Sequence, residues 1–226
     1  MIKLKGISLL LLIIAGSCNE KIDKQAIVYA TIDEKYIVYE DEGNYCYLGT
    51  NIPANGEITI INADSLHVME GFCKNGKLDG KTHWFHGNGT VSAQATIVDG
   101  IYQDTLKRWY ETGILQEQAI FKNNAYHGIR TFWYPNGSLK AEYQYIHGKM
   151  DGLFKEWYLT EKKKKTGRYL KGELEGDFFE FHENGITKAK MKYQNGKING
   201  IMTLWDSQGN ETASFFYQFG KGGNKM

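Results

Sequence analysis

The chain has 226 residues, with 27 Lys and Arg against 26 Asp and Glu, so its formal net charge of +1 gives no global field that would attract nucleic acid. Without a 17-residue leader, about 209 residues remain, enough for one elongated domain or a small cap plus an array.

The N-terminus reads as a targeting segment rather than as part of the fold. Lys3 and Lys5 precede an apolar run at 7–15, which falls short of the ~20 apolar residues needed to span a bilayer. The boundary Ala15-Gly16-Ser17-Cys18 resembles a bacterial lipobox, in which the cysteine is lipidated and becomes the new N-terminus; Ala15 stands where leucine is usual. Residues 1–17 are then a signal peptide and 18–25 a lipid-anchored tether. The expected location is the bacterial cell envelope, at the outer membrane rather than the inner. Small residues at 15 and 17 also suit ordinary signal-peptide cleavage, which would give a secreted protein.

Runs at 26–32, 35–39, 44–49 and 57–61 are rich in β-branched and aromatic residues and are separated by Asp33-Glu34, Asp41-Glu42-Gly43 and Pro53-Ala54-Asn55-Gly56, so they predict strands. Residues 26–55 fit no repeat and are read as a cap, because an open edge strand presents unpaired backbone groups to other chains. Cys46 and Cys73 could pair in an exported protein or sit as small buried apolar residues; nothing in the sequence fixes their register, and both readings stay open.

From Gly56 onward the chain repeats every 24 residues. The anchors are Gly56, Gly80, Asp104, Gly128, Gly152, Gly176 and Gly200. Five residues after an anchor stands Phe85, Trp109, Trp133, Trp157, Phe181 or Trp205; nine after it Gly89, Gly113, Gly137, Gly185 or Gly209, with Glu161 the exception. Several columns in phase over six frames imply a repeat architecture covering 56–222, its first frame degenerate because Ile61 replaces the aromatic.

The glycine columns set the local structure. Tyr134-Pro135-Asn136-Gly137 and its equivalents read as a type I turn ending in a left-handed residue. Asn75-Gly76, Asp99-Gly100, His147-Gly148 and Asn195-Gly196 read as two-residue hairpin turns. Between them Leu139, Ala141, Tyr143 and Tyr145 alternate with Lys140, Glu142 and Gln144, leaving one face apolar and one wet. The expected fold is all-β: an elongated single-layer antiparallel meander of stacked hairpins, whose twelve strands at ~4.8 Å spacing would extend over roughly 58 Å.

The spelling anchor-Gly, W-Y-x-N-G, then Y-x-N-G-K-x-x-G resembles the bacterial variant of the MORN repeat family over about three quarters of the chain. The resemblance implies stacked β-hairpins. Bacterial members often carry the label of a toxin–antitoxin antitoxin, but a structural repeat specifies a scaffold before it specifies a ligand.

No nucleophile elbow, zinc spacing, phosphate loop or dinucleotide motif appears. His83 and His86 are expected on opposite faces of a strand. His86 and His182 share a column with Tyr110, Tyr134 and Tyr158 and read as structural variants of it, whereas His67, His127 and His147 stand alone. Glu40, Asp41 and Glu42 crowd a turn without the spacing of a calcium loop, and Glu156 and Glu180 would need to face each other across a cleft to serve as a glycosidase pair. Two features could bind a partner. Lys162, Lys163, Lys164 and Lys165 form a basic contact or simply a solvated tip. Trp109, Trp133, Trp157, Trp205, Phe85 and Phe181 form either the core of a coiled ribbon or an exposed stripe for an extended peptide or glycan. The expected protein is thus a non-catalytic envelope lipoprotein that binds or scaffolds protein or envelope polymer. Its partners are the membrane, through an N-terminal lipid, and an unidentified protein or glycan; no metal, cofactor or nucleic acid is expected. The alternatives are an antitoxin or immunity-type protein and an envelope-polymer hydrolase, the latter without motif support.

Overall fold

A computed structural model describes residues 29–32, 36–41, 44–47, 52–61 and 66–225. The expected signal peptide 1–17, Cys18 and the expected tether 18–25 lie outside the described residues.

Turn chemistry decides where every strand begins and ends. At the hairpin tip, the Tyr134 N–H donates to the Ser138 carbonyl and the Gly137 N–H to the Tyr134 carbonyl, each at 2.8 Å. Gly137 sits at φ 86°, where a side chain would be strained. Glu161 takes the same conformation in its own frame at φ 63°, so the tip survives the loss of its glycine. At the other end of the hairpin, His147 and Gly148 adopt φ of 48° and 79°, the twist that matches two right-handed strands. The anchor column bends the chain rather than turning it. Gly128, at φ 93°, separates the short strand Ala125–Tyr126 from Gly128–Trp133.

Twelve long strands follow from these turns, from Gly80–Phe85 and Val91–Val98 through Gly200–Trp205 and Glu211–Gln218, each antiparallel to its neighbours in sequence. They belong to one continuous sheet that also takes in the cap and is not closed into a barrel. Gly56–Ile61 and His67–Lys74 pair in the register of the later frames, with the same irregularity beside Ile61 and the same turn after Lys74, so losing the aromatic does not change their pairing. In the cap, Asn44–Tyr47 pairs with Tyr36–Asp41, which pairs with Tyr29–Ile32, which pairs with Gly56–Ile61. Glu40 and Asp41 therefore lie in a strand, Asp41 directly opposite Asn44, and not in a crowded turn. The cap folds back on the array: the Tyr45 N–H donates to the Gly76 carbonyl at 2.6 Å and the Gly76 N–H to Ala54 at 2.8 Å.

Three kinds of bond tie one hairpin to the next. The hydroxyl of Tyr110 donates to the carbonyl of Trp133, Tyr134 to Trp157 and Tyr158 to Phe181, each at 2.8 Å. On the opposite edge the second-turn glycine donates to a carbonyl 22 residues earlier, as Gly148 does to Tyr126 at 2.9 Å. A side-chain oxygen then accepts the N–H of a residue 20 positions on, as Asp151 does from Lys171 and Glu175 from Asn195. Each tie satisfies a backbone group that a single hairpin would leave to water.

The buried side chains share one face, here called inner, which carries Ala95, Ile97, Leu106, Ala119, Ala141, Phe154, Ala189 and Met191. Alternation is plain in Thr187–Gln194, where Ala189 and Met191 are buried between exposed Lys188, Lys190 and Lys192. Ring ladders run along this face from Tyr102 through Phe121 and Tyr126 to Tyr145, and from Phe132 through Tyr143 and Phe154 to Phe178 and Tyr193, with centroids 4.5 to 6.2 Å apart. Cys46 and Cys73 are free thiols, and Cys73 lies in the N-terminal core, where burial pushes its thiol up to about 12.

A candidate binding groove along the hairpin tips

Every frame carries one unpaired residue just inside its tip. Trp133 pairs with Leu139 and Phe132 with Ala141, which leaves Lys140 extra; by the same register Gln116, Lys164 and Lys188 are extra in theirs. Such a bulge re-aims its side chain. In the frames anchored at 128 and 152 this residue is a lysine that turns to the tip-side border of the inner face, with Lys140 Nζ 5.6 Å above the Tyr134 ring and Lys164 Nζ 5.6 Å above that of Tyr158. Both rings are held by their hydroxyl bonds to the next frame. An aromatic ring with an ammonium group above it thus recurs in two consecutive frames, forming a strip along the tips.

The Trp and Phe column borders this strip. None of Trp109, Trp133, Trp157, Trp205, Phe85 and Phe181 is among the buried side chains or the exposed ones; all are half-buried. The aromatic residues that fill the inner face come instead from the regular column of Phe121, Tyr145, Tyr169 and Tyr193, seventeen residues after the anchor, and from Tyr143, Phe154 and Phe178, whose columns vary between frames. Between the frames anchored at 104 and 128 the strip deepens into a pocket of about 320 Å³. Arg108, Tyr110, Glu117, Trp133 and Lys140 are in its lining.

Glu117 is the pocket's buried charge. It stands in a column that is otherwise Ala93, Ala141, Ala189 and Ala213, with Lys165 the other departure. Its carboxylate accepts from Arg130 Nε at 2.8 Å and from Arg108 Nη1 at 3.2 Å, so two guanidinium groups answer one acid. Burial works against the Arg130 charge, but Glu117 more than offsets it and raises the Arg130 pKa. Half of the Arg108 side chain remains exposed, available to a ligand. Neither Lys140 nor Lys164 has a carboxylate within ion-pair distance among the described residues.

The other chemical candidates separate. Lys165 stands opposite both Glu156 and Glu180 in the sheet, so the two carboxylates lie about 10 Å apart, two strand spacings, on one row with a cation between them. Tyr143 donates its hydroxyl to Glu156 at 2.8 Å; burial first, and that bond second, push the tyrosine up. Lys188 is paired with Glu180 at 3.0 Å. Of the lysine run, Lys162 and Lys163 are exposed, whereas Lys164 and Lys165 are half-buried in the strand Lys163–Leu170. His86 and His182 bond the carbonyls of Trp109 and Trp205 at 2.9 Å, in the positions where other frames use tyrosine. His83 instead lies 3.5 Å from Glu70. His127 and His147, isolated in sequence, meet with ring centroids 5.5 Å apart; among the described residues no three His, Cys, Asp or Glu gather as a metal site.

Residues 105–123, 126–147 and 174–195 match the MORN repeat variant family model. This part of the chain is built of MORN-variant repeats. No curated protein matches the chain. The frame between the second and third MORN matches is the one with Glu161 and the lysine run, yet its register, bulge and turns are those of its neighbours.

Proposed function

We propose that the chain is a non-catalytic cell-envelope lipoprotein, anchored through Cys18, whose MORN-variant repeats serve as a binding or scaffolding module for protein or envelope polymer. The observation that carries the reading is the recurrence of one aromatic and cationic strip in consecutive frames, which suits contact with something extended rather than chemistry at one point. The polar groups of the tips are largely engaged already, since the tyrosine hydroxyls and the two column histidines bond backbone carbonyls of the next frame.

The test is capture from cross-linked cells with the full chain, beside fractionation of Cys18→Ser. Envelope polymer or an envelope protein enriched with the chain, and release of Cys18→Ser into soluble fractions, are the expected results. Release of soluble fragments from purified envelope polymer would replace this reading with a hydrolase. Recovery of a single cytosolic protein would replace it with the neutralising role that the family label suggests.

A further inference from the structure

We infer that the strip along the tips is a binding groove for a linear carboxylated polysaccharide carrying one acid group per disaccharide. The inference rests on the binding-module reading and names its ligand class. Frame spacing supplies the first part of the argument. Lys140 and Lys164 stand two strands apart and so present cations roughly 10 Å apart along the sheet, with Arg108 three strands, roughly 14 Å, before Lys140. A disaccharide unit has a comparable length, whereas the acids of an extended acidic peptide fall closer together.

Charge supplies the second part. At the pocket two guanidinium groups face the single carboxylate of Glu117, and Lys140 adds a further cation, so the local balance favours an anion. The lysines are placed in advance: the bulge directs Lys140 and Lys164 to the same side, and each ammonium group holds the same 5.6 Å distance from a ring fixed by its hydroxyl bond. Little ordering remains to be done on binding, which is where flexible lysines usually lose affinity.

Ring chemistry supplies the third. Beside these cations stand two half-buried tryptophans, Trp133 in the pocket lining with Lys140 and Trp157 paired with Lys163 next to Lys164. The C–H face of a sugar ring stacks on indole, and its carboxylate can then reach the neighbouring ammonium group. Neither contact alone selects this ligand, but their alternation at frame spacing does.

Hyaluronan oligosaccharides, with one carboxylate per disaccharide, are the probe, and neutral chito-oligosaccharides of equal length are the comparison. Calorimetry on the full chain in low salt should show affinity rising with each added disaccharide over at least two to three steps. It should also show binding at least ~10-fold tighter than the neutral chain and weakening as salt screens the contacts. The double substitution Lys140→Gln with Lys164→Gln should lower affinity ~10-fold or more without changing the melting temperature, while Lys192→Gln on the opposite face should leave it unaltered.

Equal affinity for charged and neutral chains would overturn the inference, as would an unaffected double variant. So would binding to vesicles containing anionic phospholipid in place of the oligosaccharide. If envelope capture succeeds while hyaluronan fails, the ligand class is wrong and the binding module stands; if both fail, the module itself is wrong.

Discussion

The two ends of this sheet are built from the same frame and buried very differently. At the N-terminal end Ile58 is 1% exposed, Cys73 and Ala54 are fully buried, and Tyr45, Ile60 and Met69 complete a core. Beyond Met191 no described residue is buried. The difference is what lies over the inner face: the cap strand Asn44–Tyr47 folds back onto Gly76 at one end, and the strand Lys221–Lys225 only extends the sheet edge at the other. A one-layer sheet acquires a core only where something covers it, so stability along such an array should fall from the capped end to the open one.

The largest effect should come from opening the capped end. Ile58→Ala should cost about 2–5 kcal/mol in urea unfolding, whereas the half-buried Met202→Ala in the last frame should cost about 1 kcal/mol or less. Cys73 offers an internal readout, because its raised pKa and burial should block thiol labelling in the native protein, and Ile58→Ala should release it. Similar losses for the two substitutions would erase the proposed gradient.

Next in size is the tip itself. Gly137→Val forces a β-branched residue to φ 86° and should cost about 1–2 kcal/mol. An unchanged melting temperature would mean that the tip tolerates the strain. A smaller step is Tyr134→Phe, which removes the bond to the Trp157 carbonyl and should cost about 0.5–1.5 kcal/mol, felt more in the middle of the array than at its ends. Hydrogen exchange at the next tip would locate the loss; protection left intact there would show that the tie between frames contributes nothing.

The smallest effect sharpens the open end. The column that carries Tyr or His in earlier frames ends in Asp206, which turns inward. Its carboxylate accepts from the Asn210 side chain at 3.0 Å and from the backbone N–H groups of Asn210 and Gln208, each at 2.9 Å. These bonds, the Asn210 side chain first, hold the carboxyl below the ordinary aspartate range. A depressed carboxyl pKa stabilises the folded tip above the unfolded value, and that contribution is lost as pH falls through the lowered one. The Asp206 carboxyl signal should therefore titrate below a free aspartate, with the last tip loosening before the rest of the sheet. A midpoint at or above the free value would remove the capping role.

Much of this was written in local chemistry. The type I tip at Tyr134–Gly137, the left-handed pair at His147-Gly148 and the alternation of Leu139–Ile146 each depend on a few adjacent residues, so the 24-residue columns expose both turns and both faces. The shared column of His86, Tyr110, Tyr134, Tyr158 and His182 even marked the histidines as structural, although not what they bond.

What stayed hidden depends on residues far apart in the chain or on a shift of one position in register. The bulge that frees Lys140 and Lys164 follows from how two strands align, and an unpaired residue looks the same in sequence as a paired one. Glu117 and its two arginines come from three strands and from three different columns, none of which repeats its charge in the neighbouring frames. The Trp column could be read as core or as an exposed stripe, and its side chains are half-buried; the closed side of the face was decided by where the cap and the ring ladders lie. By itself the sequence determined the repeat, its turns and its strand faces, since these are set by φ preferences and period-2 patterning over a few residues. Only the tertiary structure decided which apolar side chains are covered and which cations are left facing outward, because coverage depends on what folds over a face and not on what the face is made of.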